Sequence, residues 1–272
     1  MYLEFLGLQE KPFSVTADPS FLYLSKKHRE ALSHMIYGIR ERKGFIEITG
    51  EVGTGKTTLC KALLRHLDPT TKTALILQSD LSELQLLQAV VTDFGLNPME
   101  VNRLGLFNQL NQFLLDQASQ GHNIVLVIDE AQRLSLRVLE QIRMLSNLET
   151  DKDKLIQIIL VGQPQLRDKL AQPALEQLRQ RIGVRYHIMP LECDEVRTYI
   201  EHRLRLAGSN GTLEWTPDGV EEVFQCSRGI PRLINLICDR SLLACYVFQV
   251  KRVDRELVRR SYQELAGQVL SA

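Results

Sequence analysis

The feature that most constrains the fold of this chain is a glycine-rich segment between an apolar stretch and a helical pattern. Residues Gly50-Glu51-Val52-Gly53-Thr54-Gly55-Lys56-Thr57 match the pattern GxxxxGK[ST] in full. The residues at 45–49 predict a strand before this segment, and a helix is expected to begin near Lys56. Glycines let successive backbone N–H groups point at one ligand, and a helix N-terminus adds partial positive charge. The segment therefore predicts a strand–loop–helix unit that can cradle phosphate groups.

Individual residues of this loop receive roles from that geometry. We expect Lys56 to neutralise the β- and γ-phosphates of a nucleotide and the Thr57 hydroxyl to ligate Mg²⁺. Thr58 and the remaining residues of 50–56 complete the expected nucleotide-binding set. The loop thus predicts a nucleotide site that also takes a magnesium ion.

Strand and helix patterns alternate up to residue 190. Strands are expected at 45–49, 73–77, 124–128, 155–161 and 184–188, and helices at 26–41, 56–67, 82–94, 103–119, 134–148 and 173–181. Ser82 with Gln85 resembles a capping box at the start of one of these helices. Such alternation implies an α/β fold with a five-stranded parallel sheet that helices cover on both faces.

The pattern changes after Pro190, where strands are expected to stop. Helices are predicted at 193–207, 217–226, 231–248 and 254–266. Ahead of the first predicted helix, prolines and aromatic residues indicate an irregular but packed lead-in. The sequence therefore predicts three successive parts: the lead-in and its helix at 1–42, an α/β core at 43–190 and a helical domain at 191–272.

Two acidic residues follow the apolar stretch 124–128, which is typical of a buried parallel strand. Ligands of an open parallel sheet bind beyond the carboxyl ends of its strands, so we expect Asp129 and Glu130 beside the phosphate loop. Asp129 is predicted to hold Mg²⁺, in part through water, and Glu130 to orient and polarise an attacking water. An acidic turn without chemistry is the alternative.

Gln163 and three arginines are further candidates. Gln163, after the strand at 155–161, could hydrogen-bond the γ-phosphate or the lytic water, or could be an ordinary polar turn residue. Arg179, Arg181 and Arg185 could reach the γ-phosphate of a neighbouring subunit, which would require an oligomer. A solvated basic face is the alternative for each arginine, and which of the three acts is left open.

Arg232 is predicted near the start of a helix, because Gly229 suits the end of one helix and Pro231 the first turn of the next. The helix dipole disfavours a cation there unless an anion lies close, and a triphosphate would supply that anion. An ordinary surface arginine is the alternative.

Composition excludes several classes of protein. Lys plus Arg and Asp plus Glu each number 33, so the net charge is zero, which argues against a main task of coating nucleic acid. The sequence shows neither a signal peptide nor an apolar run of membrane-spanning length, so we expect a cytoplasmic protein. The five cysteines form no CxxC pair, which favours reduced thiols over a zinc site.

With these elements in order, the sequence resembles the AAA+ ATPases over nearly its whole length. Residues 50–57 match Walker A and residues 124–130 match Walker B. In the same comparison Gln163 falls at sensor 1, Arg181 is the best match to the arginine finger and Arg232 fits sensor 2. The region after 191 looks like the AAA+ lid. The resemblance implies a P-loop NTPase that hydrolyses ATP with Mg²⁺ and forms a homo-oligomer when ATP binds.

More narrowly, the sequence resembles the ExeA/GspA group and its short relative MshM, from type II secretion and MSHA-type pilus biogenesis. The stretches that carry this resemblance are residue 2, 5–8, 12–14, 44–45, 48–59, 145–150 and 160–164. ExeA-type proteins continue into a membrane span and a peptidoglycan-binding region, and this sequence has neither. That difference favours the MshM-like hypothesis.

This resemblance leads to one main hypothesis and two alternatives. The main hypothesis is an ATPase that drives assembly or localisation of a pilus or secretion apparatus, docked at the inner membrane through a membrane-protein partner. The alternatives are a DNA-dependent AAA+ regulator of the TniB/MuB kind and a non-catalytic switch that binds ATP.

Overall fold

The computed structural model describes residues 2–16, 19–78, 80–149, 154–265 and 267. Thr150 of the stretch 145–150 and Ala266 of the last predicted helix lie outside them. Contacts divide the chain into two compact units. We call them the sheet unit (His28–Gly50 and Leu59–Ile188) and the helical unit (Met1–Lys27, Glu51–Thr58 and Met189–Ala272). The sequence predicted three successive segments, whereas these two units interleave along the chain.

The centre of the sheet unit is a five-stranded sheet in the order β2-β3-β4-β1-β5. Its strands are β1 (Phe45–Gly50), β2 (Lys72–Ile76), β3 (Ile124–Ile128), β4 (Gln157–Gly162) and β5 (Ile182–Ile188). All neighbouring strands pair in parallel, which confirms the predicted five-stranded parallel sheet. Every residue of β1, β3 and β4 is buried, as expected for central strands covered on both faces.

The α-helices are α1 (Tyr2–Leu6), α2 (Lys26–Arg40), α3 (Lys56–His66), α4 (Glu83–Asp93), α5 (Arg103–Ser119), α6 (Leu136–Leu145), α7 (Gln165–Leu170), α8 (Glu176–Arg181), α9 (Cys193–Leu206), α10 (Pro217–Ser227), α11 (Pro231–Val247) and α12 (Arg255–Leu265). Short 3₁₀ turns lie at Pro19–Phe21, Ala131–Arg133 and Pro173–Leu175. None of the helices within the described ranges has both the length and the apolar character needed to cross a bilayer.

Capping residues decide where two of the predicted helices begin. The capping box is confirmed: Gln85 N donates to Ser82 Oγ at 3.3 Å, and Ser82 N donates to Gln85 Oε1 at 2.8 Å. The helix predicted at 134–148 is shorter, because Ser135 accepts from Val138 N and α6 starts after it. Helices α1 and α7 were not predicted, since five or six residues carry little periodic signal.

The expectation that strands stop after Pro190 is wrong. Two short strands, β6 (Glu214–Trp215) and β7 (Arg252–Val253), pair in parallel within the helical unit. Backbone hydrogen bonds of 2.9 Å from Glu214 to Lys251 and 3.0 Å from Thr216 to Val253 join them. Strands of two residues show no alternation in sequence, so only the packing of the surrounding helices produces them.

The lead-in forms part of the core of the helical unit. Four of its apolar side chains pack with those of the later helices: Leu6, Leu8, Phe13 and Phe21. The buried Arg203 of α9 fixes the same segment, donating to the Pro12 carbonyl at 2.5 Å and the Ser14 carbonyl at 3.2 Å. The lead-in and the helices after residue 189 therefore share one hydrophobic core.

Candidate functional site

The loop between β1 and α3 depends on glycine at two positions. Gly53 has φ +84° and Gly55 has φ +92°, in the left-handed region that favours glycine. A Cβ on Gly53 would also lie 2.7 Å from the Cβ of Arg232 and 3.2 Å from Ile230 Cγ2. Backbone angle and available space therefore both require a glycine at position 53.

The side chains of this loop fold back on its own backbone. The Glu51 carbonyl accepts hydrogen bonds from Thr54 Oγ1 and from Lys56 Nζ, each at 2.9 Å. Thr54 and Lys56 are both buried, and Lys56 is the first residue of α3. The loop thus holds a buried cation at a helix N-terminus, a combination that favours binding of an anion.

Arg232 lies against the same loop, within the helical unit. Its backbone N–H donates to the Gly53 carbonyl at 3.2 Å, and its side chain is exposed. Pro231 is the first residue of α11, so Arg232 occupies the first turn of that helix, as the sequence predicted. The structure therefore places the backbone of Arg232 against the loop that carries Lys56, the other cation that the sequence assigned to a triphosphate.

The predicted acid pair follows β3, at the carboxyl edge of the sheet. Asp129 is buried; its N–H donates to the Ile76 carbonyl at 2.9 Å, and its Oδ1 accepts from Glu130 N at 2.8 Å. Glu130 has φ +52°, a left-handed conformation that costs a residue with a side chain about 1–3 kcal/mol. The surrounding structure must hold this turn in place.

Two glutamines bind the Glu130 carboxylate. Glu130 Oε2 accepts from Gln132 Nε2 at 2.7 Å and from Gln163 Nε2 at 3.2 Å. Gln132 Oε1 in turn accepts from the backbone N–H of Gln163 at 3.1 Å. A Cβ on Gly162 would lie 2.7 Å from Gln132 Oε1, so that glycine leaves room for the glutamine side chain. The structure brings Asp129, Glu130 and Gln163 together.

Gln132 and Lys169 are members of this network that the sequence reasoning missed. Lys169 Nζ donates to the Gln132 carbonyl and, at 2.7 Å, to the Leu134 carbonyl, which ties α7 to the turn after Glu130. Gln132 could have been suspected, because it lies within four residues of Asp129. Lys169 lies in a helix that carried no periodic signal, so nothing in the sequence marked it.

The three arginines have different surroundings. Arg181 Nη1 donates to Ser146 Oγ at 2.9 Å and to Asn147 Oδ1. Arg185, in the middle of β5, donates to Glu47 Oε2 at 3.1 Å and to the Arg179 carbonyl at 2.6 Å. The exposed Arg179 guanidinium has no hydrogen-bond partner within the described ranges.

Arg181 and Glu130 are not brought together within one chain. Arg181 directly precedes β5, at the amino edge of the parallel sheet, whereas Glu130 follows β3 at the carboxyl edge. Near the middle of the sheet, burial raises the pKa of Glu47, and the Arg185 guanidinium partly offsets this. Arg185 therefore has a structural partner.

The oxygen donors that the sequence motifs assign to a metal fit magnesium better than a transition metal. The described residues contain no cluster of three His, Cys, Asp or Glu side chains that could hold a metal on their own. Mg²⁺ keeps several waters and binds phosphates together with one or two protein oxygens, so it needs no such cluster. The Thr57 hydroxyl and the buried Asp129 carboxylate are oxygen donors of the kind it prefers.

Comparisons with known proteins find a matching family model and a relative that aligns with most of this chain. Residues 39–170 match the AAA domain family. General secretion pathway protein A of Aeromonas hydrophila is 46% identical over 247 residues, which cover 90% of this chain and 45% of that protein. The chain is homologous to that protein over this region and spans less than half of its length.

Solved structures with a similar fold include three proteins of low sequence identity. ORC2 of Aeropyrum pernix superposes with a TM-score of 0.70 at 18% identity, covering 97% of this chain and 73% of that one. Cdc6p of Pyrobaculum aerophilum gives 0.68 at 18% identity, with 93% and 70% covered. The RuvB Holliday junction branch migration motor of Thermotoga maritima gives 0.58 at 21% identity, with 89% and 69% covered. These similarities concern the fold alone.

Proposed function

Since this chain has the P-loop AAA+ fold and is homologous to general secretion pathway protein A, we propose that it hydrolyses ATP to ADP and phosphate. The observation that carries the proposal is the loop after β1, whose glycine-dependent turn holds the buried Lys56 at the start of α3. A nucleoside triphosphate is the anion that such a loop suits, and Arg232 beside Gly53 adds a second cation for it.

The acid pair and its glutamines would perform the chemistry. Glu130 is assigned to orient the attacking water and accept its proton, and Gln163 to contact the γ-phosphate or that water. Support comes from the shared position of both residues at the carboxyl edge of one parallel sheet, where ligands of such sheets bind. When bound, Mg²⁺ would neutralise phosphate charge. We assign its protein ligands from the sequence motifs, which predict Thr57 and Asp129.

An arginine of the cluster would act on the site of a neighbouring copy. Arg181 remains the best match to the arginine finger, and its place at the opposite sheet edge from Glu130 fits action between subunits. It would first have to leave Ser146 and Asn147, whereas the exposed Arg179 needs no such release. The proposal therefore includes a homo-oligomer when ATP is bound, with Arg179 and Arg181 as candidate fingers.

The cellular role is proposed from the relative. The 46% identity to general secretion pathway protein A supports a role in a type II secretion apparatus or in a type IV pilus of the MSHA kind. In this proposal the nucleotide cycle drives assembly or localisation of that apparatus through a membrane-protein partner at the inner membrane. The narrower MshM-like assignment rests on the resemblance of the sequence motifs alone.

The test is Mg²⁺-dependent phosphate release by the purified protein, alone and with its membrane partner. Lys56→Ala should lose nucleotide binding, whereas Glu130→Gln should bind ATP and accumulate an ATP-bound oligomer without turnover. No turnover under either condition would contradict the proposal. A Glu130→Gln variant with unchanged partner binding and nucleotide cycling would indicate a non-catalytic switch. Stimulation by duplex DNA at low salt, lost at higher salt, would indicate the DNA-dependent regulator.

A further inference from the structure

Two backbone carbonyls of the turn after Glu130 are bound by one side chain. Within the described ranges, no backbone N–H donates to the carbonyl of Gln132 or to that of Leu134. Lys169 Nζ donates to both, at 2.7 Å to the Leu134 carbonyl. Since Leu134 is buried, its carbonyl would otherwise lose its bonds to water without replacement. Lys169 therefore supplies hydrogen bonds that the backbone of this turn does not make for itself.

The helix α7 contacts the network around Glu130 at both of its ends. Gln163 lies two residues before the helix; its Nε2 donates to the Glu130 carboxylate, and its backbone N–H donates to Gln132 Oε1. Lys169, in the last turn of the helix, donates to the Gln132 carbonyl. Gln132 is thus held through its side chain at one end of α7 and through its backbone at the other.

The position of Gln132 in turn decides the position of Glu130. Glu130 has φ +52°, which is unfavourable for a residue with a side chain, so neighbouring groups must hold this turn. Gln132 Nε2 donates to Glu130 Oε2 at 2.7 Å. A shift of the Gln132 backbone would carry this amide away from the carboxylate. The two bonds from Lys169 therefore restrain a donor that orients Glu130.

We propose that Lys169 is a positioning residue for ATP hydrolysis: by fixing the backbone of Gln132, it keeps the amide of that glutamine on Glu130. This inference rests on the function proposed above, in which Glu130 orients the attacking water. The contacts of Lys169 are with backbone carbonyls and not with the phosphate loop. Its removal should therefore change kcat and leave ATP binding as it is.

Lys169→Met keeps the length of the side chain and removes both hydrogen bonds. We expect it to lower kcat about fivefold with KM for ATP unchanged, and Lys169→Arg to restore most of the rate, since a guanidinium can also donate to carbonyls. Arg167→Met is the matched control, because Arg167 is an exposed cation of the same helix that, in the described structure, donates to neither carbonyl. A wild-type kcat in Lys169→Met, or a raised KM with normal kcat, would overturn the proposal.

A double variant tests whether Lys169 acts through Gln132. If it does, adding Lys169→Met to Gln132→Met should slow turnover no further, whereas the effects of independent residues would multiply. Multiplied effects would overturn the proposal.

Amide hydrogen exchange at residues 130–134 gives a readout that does not depend on turnover. We expect faster exchange in Lys169→Met, and rates close to those of the wild type in Lys169→Arg and Arg167→Met. Absence of turnover in the wild-type protein would contradict the ATPase proposal. Unchanged exchange in Lys169→Met would overturn the restraint by Lys169 whether or not ATP is hydrolysed, so the two failures are distinguishable.

Discussion

At the scale of single residues, the position of the Glu130 carboxylate is set by two amide donors on the same oxygen. Gln132 and Gln163 both donate to Oε2, while Oε1 has no hydrogen-bond partner in the described part of the chain. One oxygen is thereby fixed and the other remains available to a water molecule. Hydrogen bonds to a charged group contribute about 1.5–3 kcal/mol each, enough to select one orientation of a short side chain.

Removing the Gln132 amide should therefore slow turnover without weakening ATP binding. We expect Gln132→Met to lower kcat about tenfold and to leave KM for ATP unchanged, since the carboxylate loses one of its two donors. Steady-state kinetics at saturating Mg²⁺ would measure this. Gln112→Met is the matched control, because Gln112 is an exposed glutamine that donates to Asp116. A higher KM with normal kcat would contradict the assignment.

Gly53→Ala should abolish nucleotide binding. The new Cβ would meet Arg232 Cβ at 2.7 Å, so the loop or α11 must move. Gly95→Ala is the control: Gly95 also has a positive φ, but its Cβ would meet nothing within 4 Å. Both variants should lose about 1–2 kcal/mol of stability from the left-handed backbone. The affinity for a fluorescent ATP analogue distinguishes the two variants, because only Gly53→Ala should lose binding. Normal binding by Gly53→Ala would contradict the assignment of this loop as the phosphate site.

At the scale of elements, an ion pair between a buried glutamate and a half-exposed arginine joins β1 to the edge strand β5. The Glu47 side chain is 6% exposed and that of its partner Arg185 51% exposed. Burial raises the pKa of Glu47 above that of a glutamate in the unfolded chain. At a pH between these two pKa values, Glu47 is protonated in the folded protein and ionised in the unfolded chain. The contribution of Glu47 to stability therefore falls as the pH rises above the ordinary pKa of a glutamate.

Replacing Arg185 should make this pH dependence steeper. In Arg185→Met the opposing cation is gone, so the pKa of Glu47 should rise further. We expect a loss of about 1–2 kcal/mol at pH 7, less than for a fully buried pair, and little loss near pH 4.5. Urea unfolding at both pH values measures it, with Arg179→Met as the control. An equal loss at both pH values would show that packing, not charge, is responsible.

Elements with a long periodic signal or a continuous apolar run could be predicted from the sequence. The bounds of α5 and β3 are those predicted, and the loop and acid pair are local motifs that needed no tertiary information. The strands β6 and β7 and the helix α7 were missed, because two to six residues show no period. Lys169 contacts the Gln132 carbonyl and Gln163 contacts the Gln132 side chain, each from more than thirty residues away, and only the fold brings these groups close.

At the scale of the whole molecule, the proposed action of an arginine on a neighbouring copy can be tested with mixed variants. Arg181 and Glu130 lie at opposite edges of one sheet. If the arginine acts between subunits, mixing two inactive variants should restore activity. Glu130→Gln mixed with Arg181→Ala should recover about a quarter of wild-type turnover, the share of randomly formed interfaces that hold both intact groups. A parallel mixture with Arg179→Ala identifies the arginine that acts. Recovery in neither mixture would contradict action between subunits.

The lead-in has a practical consequence for dissecting this protein. Its apolar side chains, with the Pro12 and Ser14 carbonyls, fill space that the segment after residue 189 cannot fill alone. A fragment cut at residue 191 would leave an apolar hollow and an Arg203 without its bonds to the Pro12 and Ser14 carbonyls, and it would aggregate. Chimaeras between relatives should therefore exchange residues 1–27 and 189–272 as one piece.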